Sequence, residues 1–407
     1  MILALASRNI WRNKRRTLLT LSAMVVSSSL LILALGVFGG MLDDMLAAAT
    51  EQYRGHIVIS RPGYQQDREL FATFPPDSGL IVGLERTPEV TGVSPRLRGF
   101  GLLSHAQSTY PAELLGVRPN SERQVTNLAD HLVAGRYPLP QAENEALLGR
   151  GLAQKLGVKP GDELVFVTQA ADGSIGNDLL TVTGIFTTGD AVHDNNLVLV
   201  PLPWLQRVLV LNGQVHELAL RIKSPRDANL LADRLSAGLP DGLLATPWSA
   251  LMPELQEAIL SFDASRLVVA VILYLATGLG ILNTFYMSVM ERTREFGVLM
   301  ALGMRCWQVR MLVLTETLIM GLVALAVGCA LGGLMTLYMQ RVGIDLSAHL
   351  TPITYAGSTI LPRLHAVSEP GNYLMPAALL LIIAVLAGWL PARRAARLQP
   401  ADALRED

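Results

Sequence analysis

The sequence predicts a membrane protein: four transmembrane α-helices carrying a mixed α+β domain inserted between the first and second. Three observations point there. Only 16% of the 407 residues are charged while 51% are hydrophobic. The apolar residues gather near the N-terminus and in the last third. The middle alternates short apolar runs with Gly, Pro and Asp turns. A soluble globular chain carries about 25% charged residues, and a mean hydropathy of +0.37 agrees with membrane spans. A net charge of −1 offers no basic field for nucleic acid.

A transmembrane helix needs about 20 mostly apolar residues. Four segments qualify: 17–40, 267–290, 309–339 and 374–390, the last ending at Pro391. The first follows a basic stretch and precedes Ala47-Ala48-Ala49, which has the outline of a cleaved signal. Its apolar core exceeds the roughly 7–15 residues of a signal peptide, so an anchor is expected.

Orientation follows from basic residues beside the spans. Arg8, Arg12, Lys14, Arg15 and Arg16 precede the first. Arg292, Arg294 and Arg305 lie between the second and third, with Arg310 at the boundary; Arg393, Arg394, Arg397 and Arg405 follow the fourth. This places 1–16, 291–308 and 391–407 on the cytoplasmic side of the membrane. Segments 41–266 and 340–373 are then outside.

Within the outer domain, 56–59, 163–167, 180–183 and 217–222 read as strands, and 149–156 and 227–237 as helices. The turn Lys159-Pro160-Gly161-Asp162 separates a helix from a strand. Segments 41–53 and 254–266 look helical and continue the first two spans. They form either a projecting stalk or loosely packed juxtamembrane helices.

No catalytic constellation emerges. There is no Gly-Lys dipeptide for a Walker A loop, no Gly-x-Ser-x-Gly elbow and no His-Glu-x-x-His pair. His216-Glu217 lacks the second histidine, and the seven histidines are scattered, so no metal or catalytic residue is assigned. If one helix joins Cys306 and Cys329, they lie about 35 Å apart, too far for a disulfide.

Glu316 is an acidic residue well inside the third span, which costs a few kcal/mol unless it is paired or faces a polar interior. It is either a polar helix contact or hinge of a transport cycle, or, two turns from the cytoplasmic edge, close enough to reach headgroups. Gly36/Gly40 and Gly328/Gly332 are Gly-x-x-x-Gly steps suited to close helix packing.

Between the second and third spans runs ERTREFGVLMALGM, Glu291–Met304. A short helix here would gather Phe296, Leu299, Met300 and Gly303 on one side, with Glu291 at its N-terminus and Gly303 as its stop. Such a helix suits a protein groove, or it lies on the membrane surface.

This string, with Cys306-Trp307-Gln308-Val309 after it, resembles the coupling-helix signature of the MacB/FtsX-like ABC permease family. The basic start Arg8–Thr17 resembles the family's elbow helix, and Pro391–Pro400 with Ala403-Leu404-Arg405 its C-terminal tail. Segments 147–162 and 183–186 resemble its periplasmic core domain. The resemblance implies a multi-pass protein of the bacterial inner membrane, with a MacB-type core domain on four helices, working as a permease dimer with two cytoplasmic ATPase copies. The second permease would be a copy or a paralogue. ATP and Mg would bind the ATPase, leaving no cofactor and no catalysis in this chain.

It also implies mechanotransmission, with Glu291, Arg292, Arg294, Glu295, Phe296, Gly297, Leu299 and Gly303 touching the ATPase. Fused family members begin with an ATPase, whereas this chain begins at the elbow, so a separate ATPase polypeptide is expected. LolC/LolE-like members release lipoproteins, others expel toxins, and others activate cell-wall hydrolases. A lipidated or hydrophobic cargo is the expectation, with hydrolase activation as the alternative. A lipoprotein carrier or an outer-membrane component would then be a further partner, besides the lipids themselves. Phe71 and Phe74 are candidates for contact with a lipid or carrier, against the plainer expectation that they are core.

Overall fold

Each apolar window becomes a helix long and apolar enough to cross a membrane: Thr17–Glu51, Pro253–Glu291, Cys306–Val342 and Gly371–Ala395. The computed structural model describes residues 2–12, 14–141, 143–345, 353–355, 358–360 and 363–396. The expected tail from Arg397 onward, including Arg405, lies outside the described residues, as do parts of segment 340–373. Two compact units share the chain: residues 1–42, 259–349 and 363–407 in one, and 43–258 with 350–362 in the other.

The first two membrane helices outrun a bilayer. Lys14–Glu51 has 38 residues and Pro253–Glu291 has 39. At 1.5 Å per residue each is about 57 Å long, against a hydrocarbon core of about 30 Å. The last helix corrects an expectation: Pro391 lies inside it, and the helix continues to Ala395. A proline removes one N–H and crowds the preceding turn, which membrane helices tolerate where neighbours re-satisfy the freed carbonyl.

Small residues let the membrane helices meet closely. A Cβ at Gly332 would stand 2.9 Å from Ile32 Cβ and 3.0 Å from Ser29 Cα. One at Gly328 would stand 3.1 Å from Ser28 Cβ, and one at Gly36 3.0 Å from Thr336 Cγ2. The first and third helices therefore pack backbone to backbone, as small-residue steps allow. Gly40 faces the His365 backbone, and the Val367 N–H donates to the Gly36 carbonyl at 2.9 Å. Hydrogen bonds complete the bundle. Thr277 donates to Ser27 Oγ, and Tyr274 Oη to the Pro376 carbonyl, each at 2.8 Å.

The second unit is built on a ten-stranded mixed sheet. Its strands are β1 (Ile57–Ser60), β2 (Val90–His105), β3 (Ser108–Val117), β4 (Leu132–Gly135) and β5 (Glu145–Gly149). They continue with β6 (Glu163–Gln169), β7 (Ile175–Phe186), β8 (Leu197–Pro201), β9 (Glu217–Ile222) and β10 (Leu244–Pro247). The order is β10-β1-β9-β2-β3-β8-β5-β7-β4, with β6 joining β2 to β7. Pairs β3/β8 and β5/β7 are parallel. Leu115, Leu147, Phe186 and Leu199 form part of one core cluster, all at most 2% exposed. Helix Arg150–Leu156 stops at Gly157, whose φ of +70° suits glycine.

Ion pairs run through this sheet. Arg96 and Glu122 are 0% and 1% exposed and paired twice, Nε to Oε2 at 3.0 Å and Nη2 to Oε1 at 2.6 Å. Ser94 and Thr126 also donate to that carboxylate. One residue pair along β2, Arg98 binds Glu217 of β9 at 2.9 Å and also Glu113 of β3. Glu217 is buried, which works against its charge, yet the guanidinium groups of Arg98, Arg96 and Arg68 hold it well below the usual carboxylate range. Satisfied on most sides, these charges tie β2 to the helix carrying Glu122 and to β3 and β9; removing one partner would leave the other buried with less compensation.

Candidate functional site

The site is where the N-terminal helix, the segment after the second span and the start of the third span meet. Helix Ile2–Arg12 buries Ala6 against the bundle and leaves Trp11 70% exposed. Its Asn9 donates from Nδ2 to Glu316 Oε1 at 2.8 Å. Helix Thr293–Ala301 follows the second span with Arg292 as N-cap. It ends in a Schellman turn: the Gly303 N–H donates to the Met300 carbonyl and the Met304 N–H to the Leu299 carbonyl, each at 3.0 Å. Gly303 takes φ +97°, which only glycine adopts without strain.

Arg292 is the hub. Its Nη1 donates to both oxygens of Glu316, at 3.2 and 3.0 Å, and its Nε to Glu295 Oε2 at 3.2 Å. Its guanidinium lies 5.0 Å from the Phe296 ring centroid. Arg12 of the N-terminal helix pairs with Glu295. Burial disfavours the Glu295 carboxylate, but hydrogen bonds from Arg12 and Arg292 outweigh it and lower its pKa. A small cavity of about 50 Å³ adjoins the cluster, lined by Asn9, Arg12, Thr20, Ser288, Arg292 and Glu316 among others. It is large enough for water.

Of the two readings of Glu316, the structure gives the polar helix contact: the residue is 5% exposed. The expected ATPase-facing set divides. Phe296 is fully buried and Gly297 is buried, so neither presents a surface. The amphipathic stripe of Phe296, Leu299 and Met300 packs on the chain's own membrane helices, because that apolar surface is contiguous with the bundle core. Arg292 turns inward. Glu291 closes the second helix instead of opening the short one. The outward face carries Arg294, Val298, Ala301 and Leu302, with Leu302 81% exposed.

Phe74 is also corrected: it is 4% exposed, and its backbone pairs with Val215, so it is core. Phe71 remains exposed at 70%. Sequence reasoning did not assign Asn9 to the cluster. A polar residue on a helix otherwise read as a basic arm was its only signal. Among the described residues no group of His, Cys, Asp and Glu could hold a metal ion.

Two family profiles match the chain. One, the MacB-like periplasmic core domain, covers residues 17–237; the other, the FtsX-like permease C-terminal region, covers 267–400. The chain belongs to the FtsX-like permeases with a MacB-like core domain. Relatives agree. The lipoprotein-releasing system transmembrane protein LolC of Xylella fastidiosa is 27% identical over 334 residues, 78% of each chain. LolC of Neisseria meningitidis is 21% identical over 96% of this chain and 94% of its own. The macrolide export ATP-binding/permease protein MacB of Chromobacterium violaceum is 24% identical over 97% of this chain, which spans 59% of it. This FtsX-like permease is thus an ABC transporter permease of the LolC/MacB type, a multi-pass membrane protein of a family generally partnered with an ATPase.

Proposed function

We propose that this permease converts ATP hydrolysis by a separate cytoplasmic ATPase, which binds ATP and Mg, into movement of its outer domain. Two copies of the ATPase would serve a dimer of permeases, a homodimer or a pair of paralogues. The termini and the 291–308 segment lie in the cytoplasm, on the arginine distribution beside the spans. The single observation that carries the reading is the Arg292–Glu316 pair. It fastens the segment expected to meet the ATPase to a membrane helix, so force on one reaches the other. The 57 Å helices are long enough to carry that displacement beyond the bilayer.

Arg294 and Leu302, together with Glu291 and Gly303, are the contacts proposed for the ATPase. Phe296, Gly297, Arg292, Glu295 and Leu299 support that surface from behind. The cargo proposed is a lipoprotein or another hydrophobic molecule, supported by the LolC relatives and by exposed Phe71. A periplasmic carrier or an outer-membrane component would receive it.

Proteoliposomes holding the permease with its ATPase test this reading. ATP-dependent release of a lipoprotein is expected. Intact ATP turnover without release, together with binding of a cell-wall hydrolase, would replace transport with hydrolase activation.

A further inference from the structure

Between the second and fourth helices lies a groove of about 840 Å³ that the site above does not use. Leu279, Leu282 and Leu390 line it, together with Asn283, Tyr286, Arg393 and Arg394. Leu279, Leu282 and Tyr286 fall on one stripe of the second helix, which runs about 10 Å along its axis. Arg393 and Arg394 occupy the last turn of the fourth. The groove is therefore apolar along its length and cationic at the end of the membrane span.

Arg394 is held in place. It donates to Tyr286 Oη, and its guanidinium lies 5.1 Å from that ring's centroid. A guanidinium has five N–H donors, and this arrangement uses few of them. Among the described residues neither Arg393 nor Arg394 is ion-paired with a carboxylate. Two exposed arginines over an apolar cleft at the membrane boundary match a phosphate with hydrocarbon below it.

We propose that this groove binds an anionic phospholipid, its phosphate held by Arg393 and Arg394 and its upper acyl chain lying along Leu279, Leu282 and Leu390. The charge decides between headgroups. A zwitterionic lipid brings an ammonium group that two arginines repel, whereas phosphatidylglycerol does not. Asn283 supplies a further polar group, suited to the glycerol hydroxyls. The proposal depends neither on the cargo nor on the ATPase.

Native mass spectrometry of the detergent-purified full chain, titrated with phosphatidylglycerol or phosphatidylethanolamine, tests it. The wild type is expected to hold phosphatidylglycerol about tenfold more tightly. Arg393→Gln with Arg394→Gln should remove that preference, and the groove-filling Leu282→Trp should lower retention of both lipids. Equal retention of the two lipids by the wild type, or a preference surviving in the arginine variant, would overturn the proposal. So would displacement of the lipid by inorganic phosphate, which marks a simple ion site. Loss of dimer in either variant with lipid retention unchanged would assign the groove to a second copy of the chain instead.

Discussion

Arg292 donates to both carboxylate oxygens of Glu316, at 3.2 and 3.0 Å, joining two residues 24 positions apart in the chain. The pair fixes the start of the short helix against the third span, and Asn9 brings the N-terminal helix to the same carboxylate. Both partners are largely withdrawn from solvent, with side chains 13% and 6% exposed. Removing Glu316 leaves Arg292 with Glu295 as its remaining carboxylate partner, a loss of about 1–3 kcal/mol.

Glu316→Ala should therefore lower the thermal midpoint of the purified permease and weaken coupling of ATP turnover to release. Glu316→Gln, which keeps a hydrogen-bonding oxygen, should do less. Differential scanning fluorimetry and ATPase assays check both. An unchanged midpoint in Glu316→Ala would show that the pair carries no weight.

The two faces of helix Thr293–Ala301 should respond differently. Phe296→Asp places a charge in a fully buried site and should reduce folding itself. Leu302→Asp changes an 81% exposed residue and should leave stability within about 0.5 kcal/mol while releasing the ATPase. Co-purification of the ATPase with each variant separates the effects. Retention of the ATPase by Leu302→Asp would relocate the contact.

Much of this arrangement was legible in the sequence, and some was not. Hydrophobic runs of membrane length are hard to mistake, so the four spans emerged from composition. Strand β2 did not, because Gly92, Pro95, Gly99 and Gly101, with the charged Arg96 and Arg98, interrupt its apolar pattern. Their partners Glu122 and Glu217 lie 26 and 119 residues away, beyond any local signal. Glu316 announced itself as a charge in a span, but its partners come from other elements. The periodicity of Phe296, Leu299 and Met300 revealed an apolar stripe without saying which surface would cover it.

Glycine packing gives a sharper test. A Cβ at Gly388 would lie 2.6 Å from Thr317 Oγ1 and 3.0 Å from Thr317 Cβ, whereas one at Gly280 meets nothing within 4 Å. Gly388→Val and Gly332→Val should each lower the thermal midpoint of the permease, by about 1–3 kcal/mol equivalent. Gly280→Ala should leave it in place. Equal behaviour of all three variants would contradict the packing.

His56 makes the outer domain sensitive to acid. Its Nδ1 accepts the Ile222 N–H at 3.0 Å, and burial, reinforced by the charge of Arg221, lowers its pKa from 6.5 to about 4. Between these values the unfolded chain binds the proton and the folded chain does not. The stability His56 contributes is therefore complete above pH 6.5 and lost as pH falls to about 4, about 3 kcal/mol in all. His216, also buried and lowered, acts in the same direction. Across that window the wild-type midpoint should fall more steeply than that of His56→Gln, and parallel curves would exclude the effect.

The central claim is that nucleotide state reaches the outer domain through the Arg292–Glu316 fastening. Spin labels at Ala48 and Glu257, in a background lacking Cys306 and Cys329, report on it by pulsed electron resonance in the reconstituted complex. An ATP-dependent change in the label distance that disappears in Glu316→Ala, with the ATPase still bound, is the result expected. A distance that ignores nucleotide while ATP is consumed, or that shifts equally in Glu316→Ala, would contradict it.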